Sequence, residues 1–410
     1  MPRSALPQNY AVQDGILFED FESLAPWPKI SGNGNIEANT SQFRTGTQSM
    51  KMSVTTPGSF LLTRKTFPPL LDLSSVNKLM HFWFYLHTNP TTTIHHISAT
   101  FYNYFEGVPS RYFSLNWWPE KIRSGWNHAV IHRDDWALTG NPAPDWNSIY
   151  VFEFKVIAAA GQTASVSFDE VRHSMEQLPR CVIAFDDACE TVYTEGYAYM
   201  HPRGVRGTIY VAPALIGTAG YCTLAHLEEM YSNGWALANH SYTHPGFPYY
   251  LTGLTRSQIE SELSRCSQWL NDHGFTRAAH HLAYPGGYFN DDVFAALDST
   301  GMYTGRSTLR FLQTVPVDNY KILGSQTLDN TLSLAAAKSL WIDAALKRQS
   351  SAFLHGHILD AVAGPNTWAI ADFRALIDYI TACGIKCVTI DEWYNGLTNP
   401  RYRSLSLNKG

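Results

Sequence analysis

The sequence predicts two fold classes in series: an N-terminal all-β antiparallel sandwich, then an α/β domain built as a (β/α)-barrel of about seven strands. Three observations carry this. Before about residue 175 apolar residues recur with period two, after Arg180 short apolar runs alternate with helical stretches, and 410 residues suffice for two cores. The expected division is 1–175 for the sandwich, 176–400 for the barrel and 401–410 for a C-terminal tail.

In the first part, Met50, Met52 and Val54 alternate with Lys51 and Ser53, and Tyr150, Phe152, Phe154 and Val156 alternate with Glu153 and Lys155. Side chains on a strand point alternately to its two faces, so these segments read as half-buried strands. Turn formers such as Ser31-Gly32-Asn33-Gly34, Thr56-Pro57-Gly58 and Gly140-Asn141-Pro142 separate the runs, and no amphipathic helix interrupts them. Val166 and Phe168, alternating with Ser165 and Ser167, form the expected closing strand, which ends near Val171.

From Arg180 the predicted strands are 181–185, 208–212, 235–239, 279–283, 301–304, 351–354 and 386–390. Between them, Thr255 caps a helix whose apolar face is Ile259, Leu263, Cys266 and Leu270 and which Gly274 stops; residues 372–383 read the same way. Repeated strand-helix units build a parallel sheet, and about seven of them close a barrel whose site lies at the carboxyl ends of the strands. Asp186, Asp187, His240, Pro285 and His355 all fall at such ends.

Composition narrows the function classes. A net charge of −5 with no basic cluster gives no attraction to phosphate backbones, so nucleic acid is not an expected partner. No apolar run is long enough to insert in a bilayer. The six cysteines all lie after residue 180 without metal-type pairing and read as free thiols. Seven of the twelve tryptophans precede residue 150, where they serve either a sandwich core or sugar stacking. The first residues are followed by no apolar stretch of signal-peptide length.

His240 and His244 are four residues apart, yet Pro245 and Gly246 make that segment a loop rather than a helix. Two imidazoles and a carboxylate can hold a divalent ion while leaving positions open for water and substrate, which is the pattern of a catalytic site. Adjacent residues in an extended stretch face opposite ways, so Asp187 can serve the ion while Asp186 faces water as a base.

These segments resemble the polysaccharide deacetylases of carbohydrate esterase family four, over roughly residues 178–396. Ala184-Phe185-Asp186-Asp187 is similar to that family's first motif, Asn239-His240-Ser241-Tyr242-Thr243-His244-Pro245 to its second, Leu282-Ala283-Tyr284-Pro285-Gly286-Gly287 to its third and Phe353-Leu354-His355 to its fifth. The resemblance implies that Asp186 is the general base, Asp187, His240 and His244 are the metal ligands, and His355 is the general acid, with His357 competing for that role. It further implies that Tyr284, Pro285 and Gly286 form one wall of the groove, that the Gly286 N–H faces the oxyanion, and that Leu354 lines the acetyl pocket. Zinc leads among the divalent metals on ligand preference and family precedent.

Two departures stand out. The arginine that contacts the base in the third motif is replaced by Ala283, which makes Arg306 the candidate substitute; the usual aromatic residue after the proline is Gly286, which removes a side-chain wall. The sandwich resembles carbohydrate-binding jelly rolls that begin with a segment like Asp20-Phe21-Glu22 and end with one like Phe168-Asp169-Glu170, and that often hold a structural calcium there. The expected partner is therefore an acetylated polysaccharide or oligosaccharide at a cell surface, met by an extracellular or virus-borne protein. A metal-dependent amidase on a small amide and a non-catalytic carbohydrate-binding protein stand as the alternatives; the sequence leaves the oligomeric state open.

Overall fold

The computed structural model describes residues 16–74, 79–104, 111–119, 122–173, 178–246, 248–314, 317 and 319–398. The expected C-terminal tail, 401–410, lies outside them. The chain divides into two compact units, 1–176 and 177–410.

The N-terminal unit is a pair of antiparallel sheets. One runs in the order Gly34–Asn39, Ser49–Val54, Ala164–His173, Leu79–Leu86, Gly125–His132, with Ile16–Glu19 added to Ala164–His173. The other runs Ala137–Thr139, Arg111–Trp117, Ile94–Tyr104, Ile149–Ala158, Phe60–Leu71, Lys29–Gly32. Period two explains the core between them: Met50, Met52, Val54, Phe82, Phe84, Phe152, Phe154 and Val156 join one buried cluster. Trp27, Trp83, Trp117 and Trp136 are buried, whereas Trp118 is exposed. Burial removes those four tryptophans from the candidates for sugar stacking.

The C-terminal unit is a curled parallel sheet. Seven of its eight strands are, in chain order, Arg180–Phe185 (first), Thr208–Val211 (second), Ala236–Asn239 (third), Ala278–Ala283 (fourth), Thr304–Arg306 (fifth), Gln326–Thr327 (sixth) and Ser351–Gly356 (seventh); the eighth, Lys386–Cys387, pairs with the first. The seven lie in the order fifth, fourth, third, second, first, seventh, sixth. The segment leading into the sixth strand also pairs with the fifth, through a parallel bridge between Arg306 and Leu323. That bridge joins the two ends of the sheet.

Three strand expectations need correction. The predicted run 301–304 is strand only from Thr304 on, because Gly301 belongs to the turn that ends the preceding helix. Gln326–Thr327 was missed because two residues give no periodic signal. The run 386–390 is a two-residue strand, Lys386–Cys387, after which Ile390 begins a helix, Ile390–Thr398.

The predicted long helix spans Arg256–Asp272, with Thr255 and Gln258 in a reciprocal capping box and Ile259, Leu263, Cys266 and Leu270 buried. A second spans Ile370–Cys383 and ends at Gly384 in the left-handed region. Strand parity sorts the side chains into two layers. Ile183, Phe185, Val211, Leu237 and Leu354 pack with helix residues such as Leu270, Phe373 and Leu376. Val182, Ala184, Tyr210, Ala238, Ala283 and Phe353 form a separate interior cluster with Trp393 of the final helix. The small Ala184, Ala238 and Ala283 leave room inside for the larger Tyr210 and Phe353. Among the described residues, no helix is long and apolar enough to cross a membrane.

Candidate active site

Asp186, His240, Arg306 and His355 continue the interior register of four strands and meet at their carboxyl ends, where all four are buried. Asp187 and His244 complete the group. Asp187 Oδ1 lies 3.4 Å from the Nε2 atoms of both His240 and His244. Among the described residues these three are the only group of His, Cys, Asp or Glu side chains whose ligand atoms all fall within 4.8 Å of one another.

The donor set fits a divalent cation. Asp187 Oδ1 is buried and has no hydrogen-bond partner, an arrangement that costs free energy unless a cation shares it. His240 Nδ1 lies 2.9 Å from the Ala283 carbonyl oxygen, to which it can only donate, so Nε2 is left as the lone pair facing Asp187. Desolvation pulls the His240 pKa down, but Asp187 and Asp186 outweigh it and raise it. His244, facing the same carboxylates, stays below its ordinary value through burial and the neighbouring His240.

The expectation that Asp186 and Asp187 diverge because the chain is extended is wrong in its cause. Asp187 has φ 66° and Ala188 φ 58°, so a left-handed turn after the strand swings Asp187 toward the histidines. Ser241 (φ 62°) and His244 (φ 52°) are turned similarly. Their loop is held from outside: Glu262, on the helix Arg256–Asp272, accepts from the Tyr242 and Thr243 N–H groups and the Thr243 hydroxyl. Asn239 adds to this, its amide bonding Leu263 O and Ser267 Oγ while its oxygen accepts from Ser241 N–H. Sequence reading missed Glu262; its signal is an acid sitting between Ile259 and Leu263 on the apolar side of the helix.

Arg306 supplies what Ala283 lacks. Its Nη2 reaches both oxygens of Asp186, at 2.6 and 2.5 Å. Burial alone pushes the Asp186 carboxyl up, but the Arg306 guanidinium, with His240, His355 and His357, reverses this and holds it well below the carboxylate range. Behind it, Ser325 Oγ accepts from Arg306 Nη1 at 3.2 Å and donates to the Ser307 carbonyl at 2.6 Å. His355 Nδ1, 2.9 Å away, must then donate to Ser325, leaving His355 Nε2 to accept from the Thr327 hydroxyl at 3.2 Å. Burial, then Arg306, keeps the His355 pKa well below its ordinary value. His357 sits differently: Nε2 is 3.8 Å from Asp186 and Nδ1 is buried without a partner.

Two expected groove residues lie elsewhere. Tyr284 packs among Leu282, Ile259 and Val293 in the outer layer and donates its hydroxyl to the Lys321 carbonyl, so its side chain is occupied. Leu354 faces the helices beside Ile183 and Phe185; Phe353, one residue earlier, has the interior parity of His355. Pro285 is buried just past the fourth strand. Gly286, with φ 63°, carries the ring of Tyr250 against its α-carbon: a Cβ there would lie 2.7 Å from Cδ2 and from Cζ of that ring. The wall that Gly286 lacks is filled from another loop.

The calcium expectation concerns the sandwich. There Glu22 accepts from Thr47 and Gln48, Glu170 pairs with Arg172, and Asp169 accepts from the Arg44 and Thr45 N–H groups. Among the described residues these acids form no group of three converging ligand side chains like that of Asp187, His240 and His244.

Residues 176–305 match the family model for polysaccharide deacetylase. Over 130 residues the chain is 30% identical to a putative polysaccharide deacetylase, YxkH, of Bacillus subtilis, covering 32% of this chain and 45% of that protein. Over 135 residues it is 24% identical to the poly-beta-1,6-N-acetyl-D-glucosamine N-deacetylase of Staphylococcus aureus, covering 30% and 46%. The chain thus spans less than half the length of these curated relatives. Among solved structures, the Xyl-CE4 domain of a multidomain xylanase from the hindgut metagenome of Trinervitermes trinervoides aligns at 16% identity and TM-score 0.39, over 53% of this chain and 91% of that one. A family 11 carbohydrate-binding module from Clostridium thermocellum aligns at 15% identity and TM-score 0.31, over 39% and 95%. The similarity to polysaccharide deacetylases thus falls within the C-terminal unit.

Proposed function

We propose that this domain is a metal-dependent hydrolase that removes acetyl groups from a sugar polymer. The observation that carries the reading is the unpartnered Asp187 Oδ1 facing two imidazole nitrogens, with the Asp186–Arg306 pair beside it. Asp187, His240 and His244 would hold a divalent ion, zinc on donor preference, which would supply Lewis-acid polarisation of an acyl oxygen and a lowered water pKa.

The protein's part is proton handling and orientation. Asp186, kept ionised and fixed by Arg306, takes a proton from the attacking water as its oxygen bonds to the acetyl carbon. The Gly286 N–H faces the oxygen that gains charge. The C–N or C–O bond to the sugar then breaks, and the departing atom takes a proton to give a free amine or hydroxyl and acetate.

His355 is the proton donor in the leading reading. A second reading gives this role to His357, favoured by its closeness to Asp186, its unpartnered Nδ1 and the engagement of both His355 nitrogens. The sandwich serves as a carbohydrate-binding unit, and the setting is an extracellular or cell-surface polymer, including one met by a virus particle.

Acetate release from a panel of acetylated polysaccharides tests this. Asp186→Asn is expected to lower the rate by about 10² to 10⁴ with the fold intact. Of His355→Gln and His357→Gln, the one that removes the proton donor loses most on amides and least on esters with good leaving groups. Full activity in Asp186→Asn would sink the mechanism.

A further inference from the structure

Beside the donor set lies an aromatic pair that the chemistry above does not use. Tyr250 and Tyr288 stack with ring centroids 5.6 Å apart and planes 15° apart. Tyr250 is also edge-on to His244, with ring centroids 6.0 Å apart. Tyr288 is 53% exposed, so an apolar ring face stands open beside a catalytic centre.

Tyr250 is held there at a cost. Its φ is 48°, a left-handed conformation that a bulky residue rarely adopts, in a turn closed by its N–H to the Gly246 carbonyl. Its ring occupies the volume that any side chain at 286 would take. Strained backbone, a glycine vacated for the ring and a stacked partner on a different loop all serve one ring position.

We propose that Tyr250 and Tyr288 form the platform on which a pyranose ring of the glycan stacks, holding the sugar so that its acetyl group reaches the donor set. The apolar C–H face of a pyranose complements a tyrosine ring, and hydroxyl groups at its edge remain in water. The inference rests on the deacetylase reading and adds to it a residue pair that selects for a sugar rather than for any acetyl compound. Tyr250 is a binding residue here and moves no proton.

The test compares the intact chain and its Tyr250→Ala and Tyr288→Ala variants on an N-acetylglucosamine tetramer and on 4-nitrophenyl acetate. Expected is a fall of about tenfold in the ratio of kcat/KM for tetramer over ester, carried mainly by KM, with Tyr250→Phe restoring it. Gly286→Ala should lower the same ratio, and adding Tyr250→Ala to it should cost little more, since both changes displace one ring. An unchanged ratio, including equal loss on both substrates, overturns the platform and leaves the hydrolase. Wild-type turnover of the ester but not the tetramer overturns it for this sugar. No turnover of either substrate by wild type removes the deacetylase reading and the platform with it.

Discussion

The sandwich and the barrel rim both bend the backbone into left-handed geometry, with opposite results. In the sandwich, Phe21 (φ 55°) delivers its ring against Trp27 at 5.3 Å, and Glu170 (φ 50°) delivers its carboxylate to Arg172. At the rim, Asp187, Ala188, Ser241, His244 and Tyr250 are bent in the same way, yet Asp187 Oδ1 and Ser241 Oγ end without partners. Strain that ends in satisfied packing is structural; strain that ends in converging unsatisfied atoms marks a site. The sandwich has scattered unpartnered atoms too, among them Trp27 Nε1 and Asp169 Oδ1, but among the described residues none of its acids joins a group of three converging ligand side chains.

The largest test of that contrast is Asp187→Ala set against Asp169→Ala. The first is expected to remove about one equivalent of divalent metal and to lower acetate release by about 10³-fold. The second should leave both readouts near wild type, measured by elemental analysis and an acetate assay. Metal loss in Asp169→Ala alone would reverse the assignment.

Two buried ion pairs allow a finer comparison. Arg64 Nε bonds Glu153 at 2.6 Å in the sandwich, as Arg306 bonds Asp186 at the rim. Removing either arginine takes away the main cation facing a buried carboxylate, at a cost of about 3 kcal/mol. Arg306→Ala should in addition lower kcat by about 10²-fold, with Arg306→Lys restoring part of it. If Arg64→Ala lost kcat as heavily, the rim would have no special claim.

The smallest effects concern pH. Burial holds His81 in the sandwich and His281 in the barrel at about 3, and raises Asp169 to about 7. A depressed histidine contributes stability that is present above pH 6.5 and is lost as pH falls toward 3, because the unfolded chain binds the proton first. Asp169 has the opposite sign: its contribution is full below about pH 4 and is lost as pH rises through 7. Calorimetry from pH 4 to 8 should therefore show that Asp169→Asn flattens the neutral limb and His281→Gln the acid limb. Asp169→Asn steepening the loss toward pH 8 would contradict the assignment.

Much of the site was legible because the barrel rule turns strand ends into neighbours: Asp186, His240 and His355 needed only their runs to be located. The acetyl-pocket expectation for Leu354 ran against strand parity, which puts Phe353 and not Leu354 on the side of His355. The capping residues Thr255 and Gly274 are local and read directly. Glu262 was overlooked although it sits on the apolar side of its helix, because the loop it grips is known only from the fold.

Sequence by itself determined the two fold classes and the donor types at the rim, since periodicity and turn chemistry are properties of neighbouring residues. Only the tertiary structure decided that Arg306 stands in for the residue missing at Ala283, and that Tyr250 fills the space left at Gly286. It also decided that a left-handed turn aims Asp187. The physical reason is the same in each case: the partners lie on different strands or loops, and which atoms meet is set by how those elements close around one another.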